Sequence, residues 1–115
     1  MTKVKVTSSD HIKAQQNVHL SGLKKVFVNA SESETSLTQF AHGAMARLQE
    51  SGAHAHKTMD EYFYFISGTG VYVIDDIKND VYASIFVKIP AGIIHNLINV
   101  GDRQLEFVYF GIATE

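Results

Sequence analysis

Short apolar segments separated by turn residues run through most of the chain, and this rhythm limits the fold more than any other feature. The segments are rich in β-branched and aromatic residues, which favour strands. No stretch has the spacing of a long amphipathic helix. The sequence therefore predicts an all-β sandwich or barrel. The predicted strands cover residues 26–28, 37–49, 62–66, 71–74, 81–89, 95–100 and 105–112.

Turn residues divide these segments, and the first part of the chain has a different character. Residues 8–25 are polar and weakly patterned. We therefore predict an N-terminal arm over residues 1–25, with a short strand at residues 4–6, and a single domain over residues 26–115. The predicted turns lie at Ser51-Gly52, Gly68-Thr-Gly70, Asp75-Asp76 with Lys78-Asn-Asp80, Pro90-Ala-Gly92 and Gly101-Asp102.

Composition excludes several classes of protein. The chain has 115 residues, of which 45% are hydrophobic and 19% charged, as in an ordinary single globular domain. A net charge of −2 offers no basic surface for nucleic acid. No apolar run approaches the roughly 20 residues that span a bilayer, and cysteine is absent. The first residues lack the apolar segment of a signal peptide. We therefore expect a cytoplasmic protein that binds neither nucleic acid nor membrane.

Two histidines separated by one residue, His54 and His56, indicate a metal site. Alternate side chains of a strand share a face, so both imidazoles would point the same way. Such a pair is costly in a core, because each buried ring needs hydrogen-bond partners. Glu61 lies where an apolar strand begins, and His95 follows further along the chain. These four nitrogen and oxygen donors suit one divalent transition metal, such as Zn, Fe, Mn, Ni or Cu.

The spacing of these residues resembles the two sequence motifs of the cupin superfamily. The first motif has two histidines one residue apart, a glutamate after a gap of four residues and a glycine after six more. The second has the pattern Pro-x-Gly-x-x-His-x-x-x-Asn. The resemblance covers residues 45–112 and implies a small antiparallel β-barrel of the jelly-roll type. The residues that carry it are His54, His56, Glu61, Gly68, Pro90, Gly92, His95 and Asn99.

Two positions depart from the cupin pattern. Leu48 stands where a glycine is expected before the first histidine pair, and Ser84 stands where a glycine should open the second motif. Both glycines would shape turns and neither would bind metal. The departures therefore question the loop geometry and leave the set of metal ligands intact.

Strand alternation predicts which side chains line the pocket beside the metal. If Glu61 and His95 face inward, every second residue after each of them also faces inward, while Tyr62 and Tyr64 face outward. This pocket would be largely apolar and aromatic and would exclude water. For its aromatic members the alternative is plain core packing, and for Asn99 it is a role at a strand end. The predicted pocket residues on these strands are Phe63, Phe65, Leu97 and Asn99.

The segment 37–49 has two faces, and the sequence leaves open which one lines the pocket. The more polar face carries Arg47, which could clamp an anionic group of the substrate. The other face would place His42 in the interior as an acid, a base or a fifth metal donor. For both residues a surface or packing role is the alternative. His11 and His19 lie in the predicted arm and receive no role.

The resemblance implies a metal centre but does not select a reaction, because cupins with this ligand set include dioxygenases, decarboxylases and isomerases. One hypothesis is a metal-dependent enzyme acting on a small polar organic molecule, such as a carbohydrate or an oxo or hydroxy acid. The alternative is a non-catalytic module that binds a small ligand. A pocket whose polar groups are all metal ligands would favour the second hypothesis.

The last predicted strand is apolar on both faces over residues 107–112, which indicates a second buried surface. Together with the outward-facing Tyr62 and Tyr64, this pattern predicts a homodimer packed through outer aromatic faces, as is common in compact cupins. The alternative is that the N-terminal arm of the same chain covers this surface.

Overall fold

The computed structural model of the protein describes residues 4–16 and 22–115. Its strands form two antiparallel sheets, and the helical residues in these ranges belong to two 3-10 turns, Ser9–His11 and Ala30–Glu32. None of the described helices is long and apolar enough to cross a membrane. The strands are β1 (Gln15–Gln16), β2 (Leu23–Asn29), β3 (Leu37–Met45), β4 (Met59–Ser67), β5 (Thr69–Ile74), β6 (Ile77–Tyr82), β7 (Phe86–Ile89), β8 (His95–Ile98) and β9 (Leu105–Ala113).

The larger sheet has six strands in the order β1-β2-β3-β9-β4-β7, and the smaller has three in the order β6-β5-β8. Their inner faces enclose the core, as in a jelly-roll sandwich. The predicted all-β, jelly-roll fold is therefore confirmed. The two sheets are distinct rather than joined into one closed barrel. The fully buried core side chains include Tyr72, Phe65, Ile89, Leu105 and Val81.

Burial alternates strictly along β4 and β9, as period-two patterning requires. Phe63 and Phe65 are buried, whereas Tyr64 on the opposite face is 48% exposed. The predicted inward and outward faces of this strand are thus confirmed. Removing an aromatic ring from such a core costs about 3–5 kcal/mol, because the cavity left behind does not collapse fully. Phe65, with no exposed surface, is the position where that loss would be complete.

The prediction of one strand over residues 81–89 is wrong. The chain breaks at Ala83-Ser84 into β6 and β7, which belong to different sheets. The predicted turn over residues 78–80 is also wrong, because those residues pair with β5. The turn of this hairpin consists of Asp75 and Asp76 alone, both with positive φ (51° and 64°). A two-residue turn of this kind matches the twist of the flanking strands and leaves the following residues free to pair.

The two positions that depart from the cupin pattern keep the backbone conformation that glycine would supply. Leu48 has a φ of 68° and Ser84 a φ of 77°, both in the left-handed region. A side chain in this region costs about 1–2 kcal/mol relative to glycine. The loop geometry is therefore preserved, and the chain carries the strain at two turns.

Residues 4–8 form no strand, so the predicted strand at residues 4–6 is wrong. Val4 and Val6 are almost fully exposed, at 92% and 91%. A side chain attaches this segment instead, since Lys5 Nζ donates to the carbonyl oxygen of Phe27 at 2.7 Å. The strands β1 and β2 both begin within the predicted arm. The division into an arm and a domain stays a prediction, and His19 lies outside the described residues.

Candidate metal centre

The segment that carries His54 and His56 runs beside β8 and brings three histidines together. The backbone of His54 pairs with that of His95 through reciprocal N–H···O bonds of 3.0 and 2.8 Å. Side-chain burial alternates along the segment, so that His54 and His56 point inward while Ala55 is exposed. A single backbone bridge and this alternation suffice to align the imidazoles. The expectation that both rings share a face is confirmed.

Glu61 approaches the three imidazoles from the opposite sheet, because it lies on β4. Its Oε1 atom lies 3.2 Å from Nε2 of His56 and 3.3 Å from Nε2 of His95. One ligand atom from each of the four residues can be chosen so that all lie within 4.8 Å of one another. The cluster thus connects the two sheets. The larger sheet supplies the carboxylate, and β8 of the smaller sheet with the segment beside it supplies the imidazoles.

Backbone carbonyls fix the orientation of two of the rings. Nδ1 of His54 lies 2.8 Å from the carbonyl oxygen of Gly52, and Nδ1 of His95 lies 2.8 Å from that of Ile93. A carbonyl can only accept, so each Nδ1 carries the proton and donates it. Nε2 of each neutral ring then bears a lone pair directed into the cluster. This arrangement is the usual support for a metal-binding imidazole.

Nε2 of His95 is the buried atom that a metal ion would satisfy. It has no hydrogen-bond partner, although Glu61 Oε1 lies within ion-pair distance at 3.3 Å. The two observations agree once geometry is considered: the atoms are close, but their orientation is not that of a hydrogen bond. A cation between these two facing lone-pair atoms would satisfy both of them. Ligands about 2.1 Å from a metal are separated by about 3.0–3.4 Å, so the observed spacings fit a divalent ion.

The charges in the cluster reinforce one another. Burial would raise the pKa of the Glu61 carboxyl, but the neighbouring imidazoles of His56 and His95 outweigh it and lower that pKa to about 2. In return, the hydrogen bond to Glu61 raises the pKa of His56 above its ordinary value. Glu61 is therefore an anion at any physiological pH, ready to balance a cation held by the imidazoles.

A cavity of about 260 Å³ opens beside the cluster, with His54, His56 and Glu61 in its wall. This volume is at the lower limit of ordinary ligand pockets and suits a small molecule. Apolar side chains from both sheets form part of the wall, including Met45, Phe63, Leu97 and Phe107. Polar groups beyond the metal cluster also face the cavity: Lys24, Thr38, Gln39, Ser51, Tyr72 and Tyr109.

Two of the predicted pocket residues, Phe63 and Leu97, line the cavity, whereas Phe65 and Asn99 do not. Phe65 is buried in the core. Asn99 is fully buried and holds the chain together, since its side-chain amide donates to the carbonyl oxygens of Met45 and Arg103 at 2.9 and 2.8 Å. Asn99 thus has a structural role at the end of β8, which was the alternative to a role in the pocket.

The more polar face of residues 37–45 is the one that lines the cavity, through Gln39 and Met45. Arg47 does not take part, because β3 ends at Met45 and the chain turns; Arg47 is instead exposed in that turn. His42 lies on the outer face, where its Nε2 atom is 3.2 Å from Glu106 Oε1. The structure therefore places neither His42 nor Arg47 at the metal centre.

Sequence reasoning missed the polar residues that face the cavity from β2 and β9. Lys24 belongs to β2 and Tyr109 to β9, and Tyr72 on β5 faces them from the other sheet. Burial raises the pKa of Tyr109 to about 12 and that of Tyr72 well above its ordinary value, and the charge of Glu61 adds to both effects. Strand parity relative to Phe107 would have predicted an inward Tyr109. No local signal marks Lys24, which lies within the predicted arm.

Comparison with known proteins agrees with the fold. The family model described as a cupin domain matches residues 44–111. The chain therefore belongs to the cupin family. No curated protein matches it in sequence.

Solved structures extend the likeness over nearly the whole chain. A predicted oxalate decarboxylase from Thermotoga maritima is 20% identical with a TM-score of 0.86, covering 95% of this chain and 99% of that one. The polyketide cyclase RemF from Streptomyces resistomycificus is 14% identical with a TM-score of 0.82, covering 98% and 81%. KdgF from Halomonas sp. is 15% identical with a TM-score of 0.77, covering 96% and 94%. At these identities the likeness shows the fold alone.

Proposed function

We propose that the protein is a divalent-metal-dependent enzyme that acts on a small polar organic molecule, such as a carbohydrate or an oxo or hydroxy acid. His54, His56, His95 and Glu61 would hold the ion. When bound, the ion would supply Lewis acidity toward a carbonyl or carboxylate, or a hydroxide at neutral pH. The similar solved structures with names that state a reaction include a predicted decarboxylase and a cyclase, which supports an enzymatic role without selecting a reaction.

The observation that carries this proposal is the convergence of four donor groups at the wall of a cavity with further polar groups. A cavity whose polar groups were all metal ligands would have favoured a simple binding module. Here Tyr72 and Tyr109 stay protonated over the whole working range of pH, so their hydroxyl groups can donate hydrogen bonds to a substrate. The apolar walls lower the local dielectric constant and strengthen those contacts.

The second candidate function is a non-catalytic module that binds a small ligand, and the packing of the two tyrosine rings favours it. Both Tyr72 and Tyr109 contact other aromatic rings, so each also contributes to the core. Among the described residues that line the cavity, the carboxyl and imidazole groups all belong to the proposed metal ligands. In that case the ion would anchor a ligand and no product would form.

Metal analysis followed by a turnover assay separates the two candidates. Chelator-treated protein is loaded in turn with Zn, Fe, Mn, Ni and Cu, and the bound metal is quantified. Each form is then incubated with a panel of sugars and of oxo and hydroxy acids, and products are sought by mass spectrometry. We expect one ion per chain and turnover with one preferred metal.

Two alanine variants give the control. His95→Ala should lose stoichiometric metal, whereas His11→Ala should retain it, because His11 is exposed and lies outside the cluster. Full occupancy in His95→Ala would contradict the ligand assignment. Ligand binding without product under every metal would replace the enzyme by the binding module.

We also propose that the protein forms a homodimer through an outer aromatic face on the six-stranded sheet. On that face Phe40 packs edge-on against Phe27 at 5.2 Å, and Tyr62 stacks on Phe110 at 4.8 Å. Exposed aromatic surface of this kind favours burial against a partner. Light scattering at micromolar protein should give the mass of a dimer, and a monomeric mass would reject this assembly in favour of cover by the arm.

A further inference from the structure

A lysine, an amide and a tyrosine form a chain of polar contacts on the inner face of the larger sheet. Lys24 Nζ donates to the side-chain oxygen of Gln39 at 2.8 Å. The side-chain nitrogen of Gln39 lies 3.4 Å from the hydroxyl oxygen of Tyr109. All three residues line the same cavity as the metal cluster. We call them the Lys24 cluster.

The strand register shows how Lys24 reaches this position. The backbone of Lys24 lies opposite Gly43 of β3, yet its ammonium contacts Gln39, which lies four residues away from Gly43 on β3. Four residues of a strand span about 13 Å, so the aliphatic stem must run along the inner face of β3. The stem thus packs against the sheet, and the charged end is delivered to the cavity rather than to the rim of the sheet.

Gly111 separates the Lys24 cluster from the metal cluster. Gln39 and Glu61 are both in register with Gly111, one from each side of β9. They are therefore two strand spacings apart, about 10 Å between backbones. With no side chain at Gly111, Met59 and Thr38 meet over this position and close the floor of the cavity. A small molecule above that floor can touch both clusters at once.

Lys24 carries a charge that the described part of the chain does not balance. Its hydrogen-bond partner there is a neutral amide, and no described carboxylate forms an ion pair with it. Burial of the side chain lowers the pKa of the Lys24 ammonium. An anion entering the cavity would compensate for that burial and would gain a charge-assisted hydrogen bond. Lys25 next to it differs, because it turns to the other side and donates to the carbonyl oxygen of Ser9.

We propose that the Lys24 cluster is a carboxylate-binding subsite, held at the far side of the cavity from the metal ligands. It selects small organic acids that carry an oxygen donor for the ion at one end and a carboxylate at the other. Gln39 positions the ammonium, and the Tyr109 hydroxyl offers a second donor. The statement that one end of the acid binds a metal rests on the proposed function. The statement that the other end is a carboxylate rests on the Lys24 cluster alone.

The test compares dicarboxylates with monocarboxylates of equal chain length. Calorimetric titration of metal-loaded protein with malonate, succinate and glutarate, against propionate, butyrate and valerate, measures the preference. We expect one dicarboxylate to bind about 10- to 100-fold more tightly than its matched monocarboxylate, as a charge-assisted hydrogen bond would give. Lys24→Met should abolish that preference.

Lys25→Met is the matched control, because it removes an equal charge from the outer side of the same strand and should keep the preference. Thermal melting verifies that both variants fold. An equal preference in Lys24→Met and Lys25→Met would overturn the subsite, as would the absence of any dicarboxylate preference in the unmutated protein. The titrations are repeated on chelator-treated protein, with metal content measured separately. A Lys24-dependent preference in protein that never retains metal would keep the subsite and overturn the metal-dependent function.

Discussion

Replacing Glu61 with Gln removes the negative charge from the metal cluster at almost constant volume. In metal-free protein, the neighbouring imidazoles of His56 and His95 outweigh the effect of burial and hold the pKa of Glu61 at about 2, against an ordinary value of 4.5. A shift of this size corresponds to about 3 kcal/mol of folding stability. Because the folded pKa is depressed, this contribution is complete above pH 4.5 and is lost as pH falls toward 2.

His56 sets the upper limit of the same window. The hydrogen bond to Glu61 raises the pKa of His56 above its ordinary value of 6.5. A raised pKa gives stability that is complete below 6.5 and is lost as pH rises through the folded value. The interaction between the two groups is therefore strongest between about pH 4.5 and 6.5. The Glu61→Gln variant should be most destabilised in that range.

Urea unfolding of chelator-treated protein between pH 3 and 6 measures the difference directly. We expect the unmutated protein to exceed Glu61→Gln by up to about 3 kcal/mol near pH 5.5, and the gap to close toward pH 3. Glu106→Gln serves as the control, since Glu106 faces His42 at 3.2 Å on the outer surface and exposed pairs contribute about 0–1 kcal/mol. A gap that stays constant from pH 5.5 to 3 would refute the charge coupling.

Three further predictions follow from the turns and the cluster. The rise in melting temperature on adding a divalent ion should grow between pH 5 and 8, because only neutral imidazoles bind metal; a rise independent of pH would contradict the site. Leu48→Gly should raise the free energy of unfolding by about 1 kcal/mol by relieving the strain at its φ of 68°, and Leu48→Ala should give no such gain. Gly68→Ala should cost at least about 2 kcal/mol, because its Cβ would meet the carbonyl oxygen of Gln104 at 2.5 Å in addition to the strain at φ 84°. Gly52 has a φ of 82° with nothing within 4 Å of an added Cβ, so Gly52→Ala should lose only the stability that backbone strain costs. Equal losses of stability in these two glycine variants would exclude the steric argument.

The metal cluster was accessible from sequence because its signal is local. The spacing of His54, His56 and Glu61 needs only a strand and a short connection, and period-two alternation then places Phe63 beside them. The far side of the cavity was not accessible, because it depends on the register between strands. Lys24 looks like part of a polar arm until β2 pairs with β3, and nothing near it in the sequence shows that pairing.

Arg47 illustrates the opposite error. The apolar and polar alternation of residues 37–49 continues past the end of β3, so the sequence predicts a longer strand in which Arg47 shares a face with Gln39 and Met45. The chain leaves the sheet at Ala46, and the left-handed backbone of Leu48 completes the turn. Apolar and polar alternation predicts which side chains share a face, but it does not predict where a strand ends, because the end of backbone pairing depends on the neighbouring strand.

The placement of the four proposed ligands on opposite sides of the sandwich has a consequence for the lifetime of the protein. With the ion bound, opening the small sheet would require breaking coordination bonds in addition to apolar contacts. Without it, β5, β6 and β8 could separate as a local unfolding unit while the large sheet stays paired. Proteases cleave such transiently opened segments in proportion to their population. Metal supply would then govern how long each molecule survives, independently of any reaction that it catalyses.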